Sequence, residues 1–100
     1  MTAPAGTVAE VVLAAVRKVP GLRPATPQVT RMPWDLELLA VDVAPGDIEV
    51  RLVALVLPLG PVLRLAETVV RQALADVGRE RTLLRLVITD VDATAFDQGP

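Results

Sequence analysis

Between Ile48 and Leu57 the apolar residues first alternate and then run together. Ile48, Val50, Leu52, Ala54 and Val56 fall on one side of an extended chain, while the other side carries Glu49 and Arg51, then Val53, Leu55 and Leu57. A period of two over this length predicts a strand. An open sheet with helices on one face has a mostly polar second face, so a strand that is apolar on both sides calls for a cover or a partner.

The elements around this strand follow from the same arithmetic. Val8, Val11, Val12, Ala15, Val16 and Val19 lie at i, i+3, i+4, i+7, i+8 and i+11, one face of a helix. Thr7 with Glu10 has capping-box spacing, Arg17 and Lys18 suit the negative end of the dipole, and Pro20-Gly21 stops the helix. Valine loses side-chain freedom in a helix and lowers its intrinsic propensity, so tertiary burial must hold this one. Residues 23–33, with Pro24, Pro27 and Pro33, read as a linker. A first strand is predicted over Asp35–Val43 and a second over Ile48–Leu57. They are joined antiparallel through Pro45-Gly46, where glycine would supply the positive φ of a type II turn.

Leu59-Gly60-Pro61 opens a second helix with the stripe Val62, Leu65, Ala66, Val69, Ala73 and Val77, and Gly78 stands where a C′ glycine ends it. Its other face shows Arg64, Glu67, Thr68, Arg71 and Gln72. Arg81–Val91 reads as a third strand with Leu84, Leu86 and Ile88 on one face and Leu83, Val87 and Val91 on the other. The order αββαβ predicts an α+β fold of two layers, a three-stranded sheet with two helices packed on it. Residues 1–6 read as a disordered N-terminus, 7–92 as the domain and 93–100 as a flexible tail.

Composition narrows the chemistry. The 100 residues are 52% apolar but hold only two aromatics, Trp34 and Phe96, so the core is aliphatic. A domain of this length buries roughly two thirds of its unfolded surface. Cys, His, Ser, Tyr and Asn are all absent. Thiolate and hydroxyl nucleophiles other than threonine, imidazole bases and zinc-thiolate sites are thereby ruled out. No enzymatic activity is expected, and no cofactor.

The remaining chemical motifs are thin. Asp90 with Asp92, and Asp35 with Glu37, could hold a divalent cation, but D-x-D is equally the pattern of solvated acids at strand ends. No glycine-rich phosphate loop is present, and Gly60 at a helix start serves the strand-to-helix turn. Arg64, Arg71, Arg79, Arg81 and Arg85 cluster in sequence, which keeps RNA binding as the alternative function. Yet Glu67, Asp76 and Glu80 are interleaved, no aromatic platform lies on a strand, and the formal charge is −2. Nucleic acid is therefore not the expected partner.

Nor does the chain show a membrane signal. Its N-terminus lacks a basic n-region. The longest apolar run, Leu52–Leu63, contains Pro58, Gly60 and Pro61 and falls short of the ~20 residues of a spanning helix. No direct membrane insertion is expected, and the chain reads as cytoplasmic.

Two readings account for the second sheet face. The linker with Trp34 folds back across it, or the helices cover both sides; otherwise Val53, Leu55, Leu57 and Val87 form an interaction face, since contiguous apolar patches mark association sites.

Val8–Leu22, ending Val19-Pro20-Gly21-Leu22, resembles the opening helix and V-x-G-V step of the alkaline shock protein family, small envelope stress response proteins of Gram-positive bacteria. Val50–Leu57 running into Leu59-Gly60 and the second helix is similar to that family's strand, Tyr-Gly step and long helix, with Leu59 in place of Tyr. Arg85-Leu86-Val87-Ile88-Thr89-Asp90-Val91 resembles its closing V-x-V-x-D-V strand. The resemblance spans about residues 7–92. It implies a non-catalytic protein of cell-envelope homeostasis, a scaffold or adaptor that self-associates as a dimer or higher oligomer. It further implies recruitment to the inner face of the cell membrane by a small membrane-anchored protein. Nine arginines against one lysine suit an actinobacterial genome.

Overall fold

A computed structural model describes residues 5–25 and 39–97. Its order is α1 (Ala5–Arg17), β1 (Leu22–Pro24), β2 (Val41–Ala44), β3 (Asp47–Ala54), α2 (Leu59–Asp76) and β4 (Leu83–Val91), followed by a 3-10 helix, Ala93–Asp97. The α+β class stands, with two helices and a sheet, but the sheet has four strands where three were expected. The additional one, β1, is Leu22 with the first two residues of the segment read as linker, Arg23 and Pro24. Leu22 and Pro24 are buried and register against Ala54 and Leu52 of β3. Three residues are too few to show a period, and proline is acceptable on a sheet edge, where its missing N–H costs no ladder bond.

β3 is the centre of the sheet. β1 and β2 pair antiparallel with successive halves of one of its edges, Leu52–Ala54 and Asp47–Val50, and β4 runs parallel along the other. A parallel neighbour cannot be reached by a tight turn, and α2 is the crossover that makes it possible. Ile48, Val50, Leu52 and Ala54 are fully buried beneath the helices, as their alternation requires.

α1 packs against α2, β1 and β2 at once. Its buried arc is therefore wider than one stripe and takes in Ala9 and Leu13 beside Val8, Val12, Ala15, Val16 and Val19. The helix starts at Ala5, so Thr7 lies inside its first turn rather than at its cap. In α2 the fully buried row is Ala66, Val70 and Leu74, and Leu65 of the predicted stripe is exposed. The spacing located the helix; contact with α1 rotated it.

Three boundaries also move. β3 ends at Ala54, before Leu55–Leu57, and β4 begins at Leu83. Of the first predicted strand only Val41–Val43 pairs, and Asp35–Leu38 lies outside the described residues. Part of the tail read as flexible is the 3-10 helix over Ala93–Asp97, with Ala95 buried.

The turn residues divide clearly. The β2–β3 hairpin closes through Pro45 and Gly46, but Gly46 does not adopt positive φ, so the turn is not type II. Gly78 does, at φ 79°. The Arg79 N–H donates to the Leu74 carbonyl at 2.8 Å and the Gly78 N–H to that of Ala75 at 3.1 Å, the two bonds of a Schellman stop. Gly21 has φ 101°, and a Cβ there would overlap Val56 Cγ2. Gly60 sits in the first turn of α2, with open space but for the Arg64 guanidinium, and Pro20 lies in the turn that follows α1.

Candidate functional site

On the face of the sheet away from the helices, the half nearest the hairpin is charged. Asp47, Glu49 and Arg51 of β3 stand beside Leu83, Arg85 and Val87 of β4 and opposite Asp42 of β2. Arg51 donates to Asp42 at 2.5 Å and to Glu49 at 3.2 Å, and also to the Leu39 carbonyl. Arg85 reaches Asp47 at 2.7 Å and Glu49 at 3.9 Å. The bond to Asp42, reinforced by both carboxylates, holds the Arg51 guanidinium above the usual arginine range. Such exposed pairs contribute little to stability singly; here they order a polar strip.

The four residues of the expected interaction face are not brought together. Val53 is only 5% exposed. Leu55 is half-buried past the strand's end, its N–H donating to the Gly21 carbonyl at 2.8 Å. Leu57 is 42% exposed in the loop before α2, and Val87 is 36% exposed on β4 opposite Arg51. A bulge redirects the end of β4: Leu52 pairs with Ile88 but Val53 with Asp90, so Thr89 is extra and Val91 comes opposite Ala54. Simple alternation had placed Val91 beside Val87. A bulge leaves no mark in a hydrophobic pattern.

The residue missed at this surface is Leu83, grouped with Val87 by alternation but not chosen, and 70% exposed. None of the nine residues of β4 is buried, although six of them are Leu, Val or Ile. The signal was available in part. The helix between the second and third strands demands a crossover, and so allowed β4 to be an edge. Trp34, Asp35 and Glu37 lie outside the described residues.

A second feature is a groove of about 580 Å³ between α1 and α2, with Val11, Ala14, Val69 and Ala73 on its floor and Lys18 and Asp76 at its rim. Of its polar lining, the Thr68 hydroxyl donates to the Arg64 carbonyl at 3.1 Å and the Gln72 amide to Asp76 at 3.1 Å. Among the described residues no group of three or more acids is positioned to hold a metal ion. Asp90 and Asp92 serve the backbone instead: Asp90 accepts from the Val91 N–H at 2.8 Å, and Asp92 from the N–H of Thr94 at 3.0 Å and its hydroxyl at 2.9 Å. These bonds from Thr94, with Arg23 at 3.6 Å, hold the Asp92 carboxyl below the usual carboxylate range.

That depression gives a signed expectation. A carboxylate whose pKa is lowered on folding contributes stability present above its unfolded pKa and lost as pH falls through the folded one. Asp92→Ala is therefore less stable than the parent at pH 7, and the gap closes below roughly pH 4. Urea melts at the two pH values check it; a gap that persists at low pH would assign the effect to packing.

Two of the five arginines clustered in sequence, Arg71 and Arg85, are held by acids. Arg71 pairs with Glu67 at 2.9 Å, Arg85 with Asp47, and Arg79 donates to the Ala44 carbonyl at 2.7 Å. No helix among the described residues is long and apolar enough to cross a membrane. Compared with protein families, curated proteins and solved structures, the chain has no significant match to any of them.

Proposed function

We propose that the protein is a non-catalytic scaffold or adaptor of the envelope stress type, working through self-association and protein partners. The observation that carries this reading is the surface of β4: Leu84, Leu86 and Ile88 pack against the core, while Leu83 and Val87 are exposed on the other face, Leu83 by 70%. Contiguous apolar surface on a small domain is the mark of an association site. Leu83 and Val87 supply it on the outer face, on either side of Arg85, and Leu57 is a separate exposed leucine in the loop that follows β3.

Three further points support the reading. The chain lacks the side chains of most catalytic machinery. Arg51, Arg71 and Arg85 are each paired with acids and the formal charge is −2, which weakens the case for nucleic acid. The resemblance to the alkaline shock proteins adds the cellular setting. In it, an acidic domain without a lipid-binding signal is brought to the inner face of the membrane by a membrane-anchored protein.

Light scattering after size exclusion, across a concentration series, tests the reading. The expected result is mass growing beyond the 10.6 kDa monomer. Leu57→Glu is expected to leave stability within about 0.5 kcal/mol, as exposed positions do, so any change it makes in association or partner binding reports on the surface. A strict monomer at the highest concentration, which also fails to sediment with membranes of the host cell, overturns the proposal.

A further inference from the structure

The free edge of β4 points to a specific mode of association, which rests on the self-association reading above. Among the described residues, β4 hydrogen-bonds to β3 along one edge and no strand pairs with the other. Soluble proteins blunt such an edge with charge, proline, shortness, a bulge or a covering element; in β4 the bulge comes only at Thr89, so Leu83–Ile88 is a regular stretch with Arg85 as its one charge. β4 is the longest strand of the sheet and contains no lysine, proline or glycine. Its only charged residues are Arg85 and Asp90.

We propose that this edge binds the same edge of a second copy, antiparallel, making one continuous sheet across a two-fold axis at Val87. The register follows from the strand itself. With Val87 facing Val87, Leu86 faces Ile88, so aliphatic residues meet across the axis on both sides of the sheet. Thr89 then faces Arg85 of the other copy, and because the bulge against β3 turns Asp90 to the outer face, Asp90 stands next to that pair on the side where Arg85 points. Asp90 follows the register of Val53 and so lies on the outer face with Arg85. The two-fold makes two such Arg–Asp contacts from one strand sequence. Asp90 has no ion pair among the described residues, although its neighbour Asp92 has Arg23.

The helix side is complementary in the same way. A cleft of about 240 Å³ lies between α2 and β4, lined by Leu63, Arg64, Glu67, Leu84 and Leu86. It flanks α2 on the side away from the α1 groove, along the free edge. Two-fold pairing brings two of these clefts together, with the leucines as a shared floor and Arg64 and Glu67 of each copy approaching the opposite charges of the other. An isologous contact needs this self-complementarity, and a two-fold closes it at a dimer.

Amide hydrogen exchange on the full chain, at two concentrations spanning the dissociation constant found by light scattering, tests the edge without mutation. Protection that rises with concentration and concentrates in residues 83–91 is the expected result. Asp90→Lys places lysine beside Arg85 of the other copy and is expected to weaken the dimer about tenfold. Asp90→Asn, which removes the charge without reversing it, is expected to weaken the dimer less than Asp90→Lys does, while Leu57→Glu leaves it unchanged. A dimer with no concentration-dependent protection in β4, broken instead by Leu57→Glu, overturns the edge and leaves self-association standing. A strict monomer overturns both, and leaves the edge to a strand from another protein.

Discussion

Leu52→Ala is expected to destabilise the domain by about 3–4 kcal/mol, because it empties a fully buried leucine site in the central strand. Leu52 registers with Pro24 on one edge and Ile88 on the other, at the point where the antiparallel and parallel halves of the sheet meet. Both neighbours are fixed by backbone pairing, so the cavity has little freedom to collapse, and the cost falls in the upper part of the range for such truncations. Against a total stability of about 5–15 kcal/mol for a domain of this kind, the midpoint of thermal unfolding should fall by roughly 15–25 °C. Calorimetry or a urea melt measures it, with Leu65→Ala on the exposed side of α2 as the control. A loss under about 1 kcal/mol at Leu52 would mean that β3 is not the centre of the sheet.

Gly21→Ala has the second large effect, about 2–4 kcal/mol, from two sources that can be separated. An L-residue held at φ 101° is strained by roughly 1–2 kcal/mol. The added Cβ also overlaps Val56 Cγ2, a β-branched side chain with little rotamer freedom to yield, and forced overlap costs a further ~1–3 kcal/mol. Gly21 cannot easily move away, since its carbonyl accepts the Leu55 N–H at 2.8 Å and so ties the α1–β1 turn to the end of β3. In the double variant Gly21→Ala with Val56→Ala, the steric part should be relieved and the backbone part remain. Gly46→Ala is the matched control: that glycine lacks positive φ and has no atom near its Cβ position. Substitution there should be neutral or stabilise by about 0.4–1 kcal/mol through the unfolded state. Equal effects at Gly21 and Gly46 would refute the account of both turns.

The proposed dimer edge and the core respond to different variants. Asp90→Lys changes association with little effect on the protomer, while Leu52→Ala changes folding without touching the edge. A protein whose dimer dissociates only as it unfolds would show both losses together, and concentration-dependent melting would reveal it.

Within the predicted interaction face, legibility stopped where the chain stopped being periodic. Val53, Leu55 and Leu57 share one side of an ideal strand, but β3 ends at Ala54, and the next residues turn toward α2. Only Leu57 and Val87 reach the surface in strength, and they belong to different elements. The polar half of that face was visible as Glu49 and Arg51. Its pairing with Asp42, Asp47 and Arg85 required knowing that β2 and β4 flank β3 on opposite edges. Likewise β1 was hidden because Leu22, Arg23 and Pro24 carry no pattern of their own and become a strand only by bonding to β3.

What the sequence determined alone is what depends on near neighbours along the chain. The helical repeats of α1 and α2, the alternation of Ile48, Val50, Leu52 and Ala54, the hairpin at Pro45-Gly46 and the stop at Gly78 all follow from spacing and backbone freedom. Tertiary structure alone decided what depends on residues far apart. It rotated α2 so that Leu65 faces solvent and Val70 and Leu74 the core, widened the buried arc of α1 to include Leu13, and inserted the bulge that carries Asp90 onto the outer face. The physical reason is common to all three. Periodicity records that a side chain avoids water, but the direction in which it finds shelter is set by whichever element packs there.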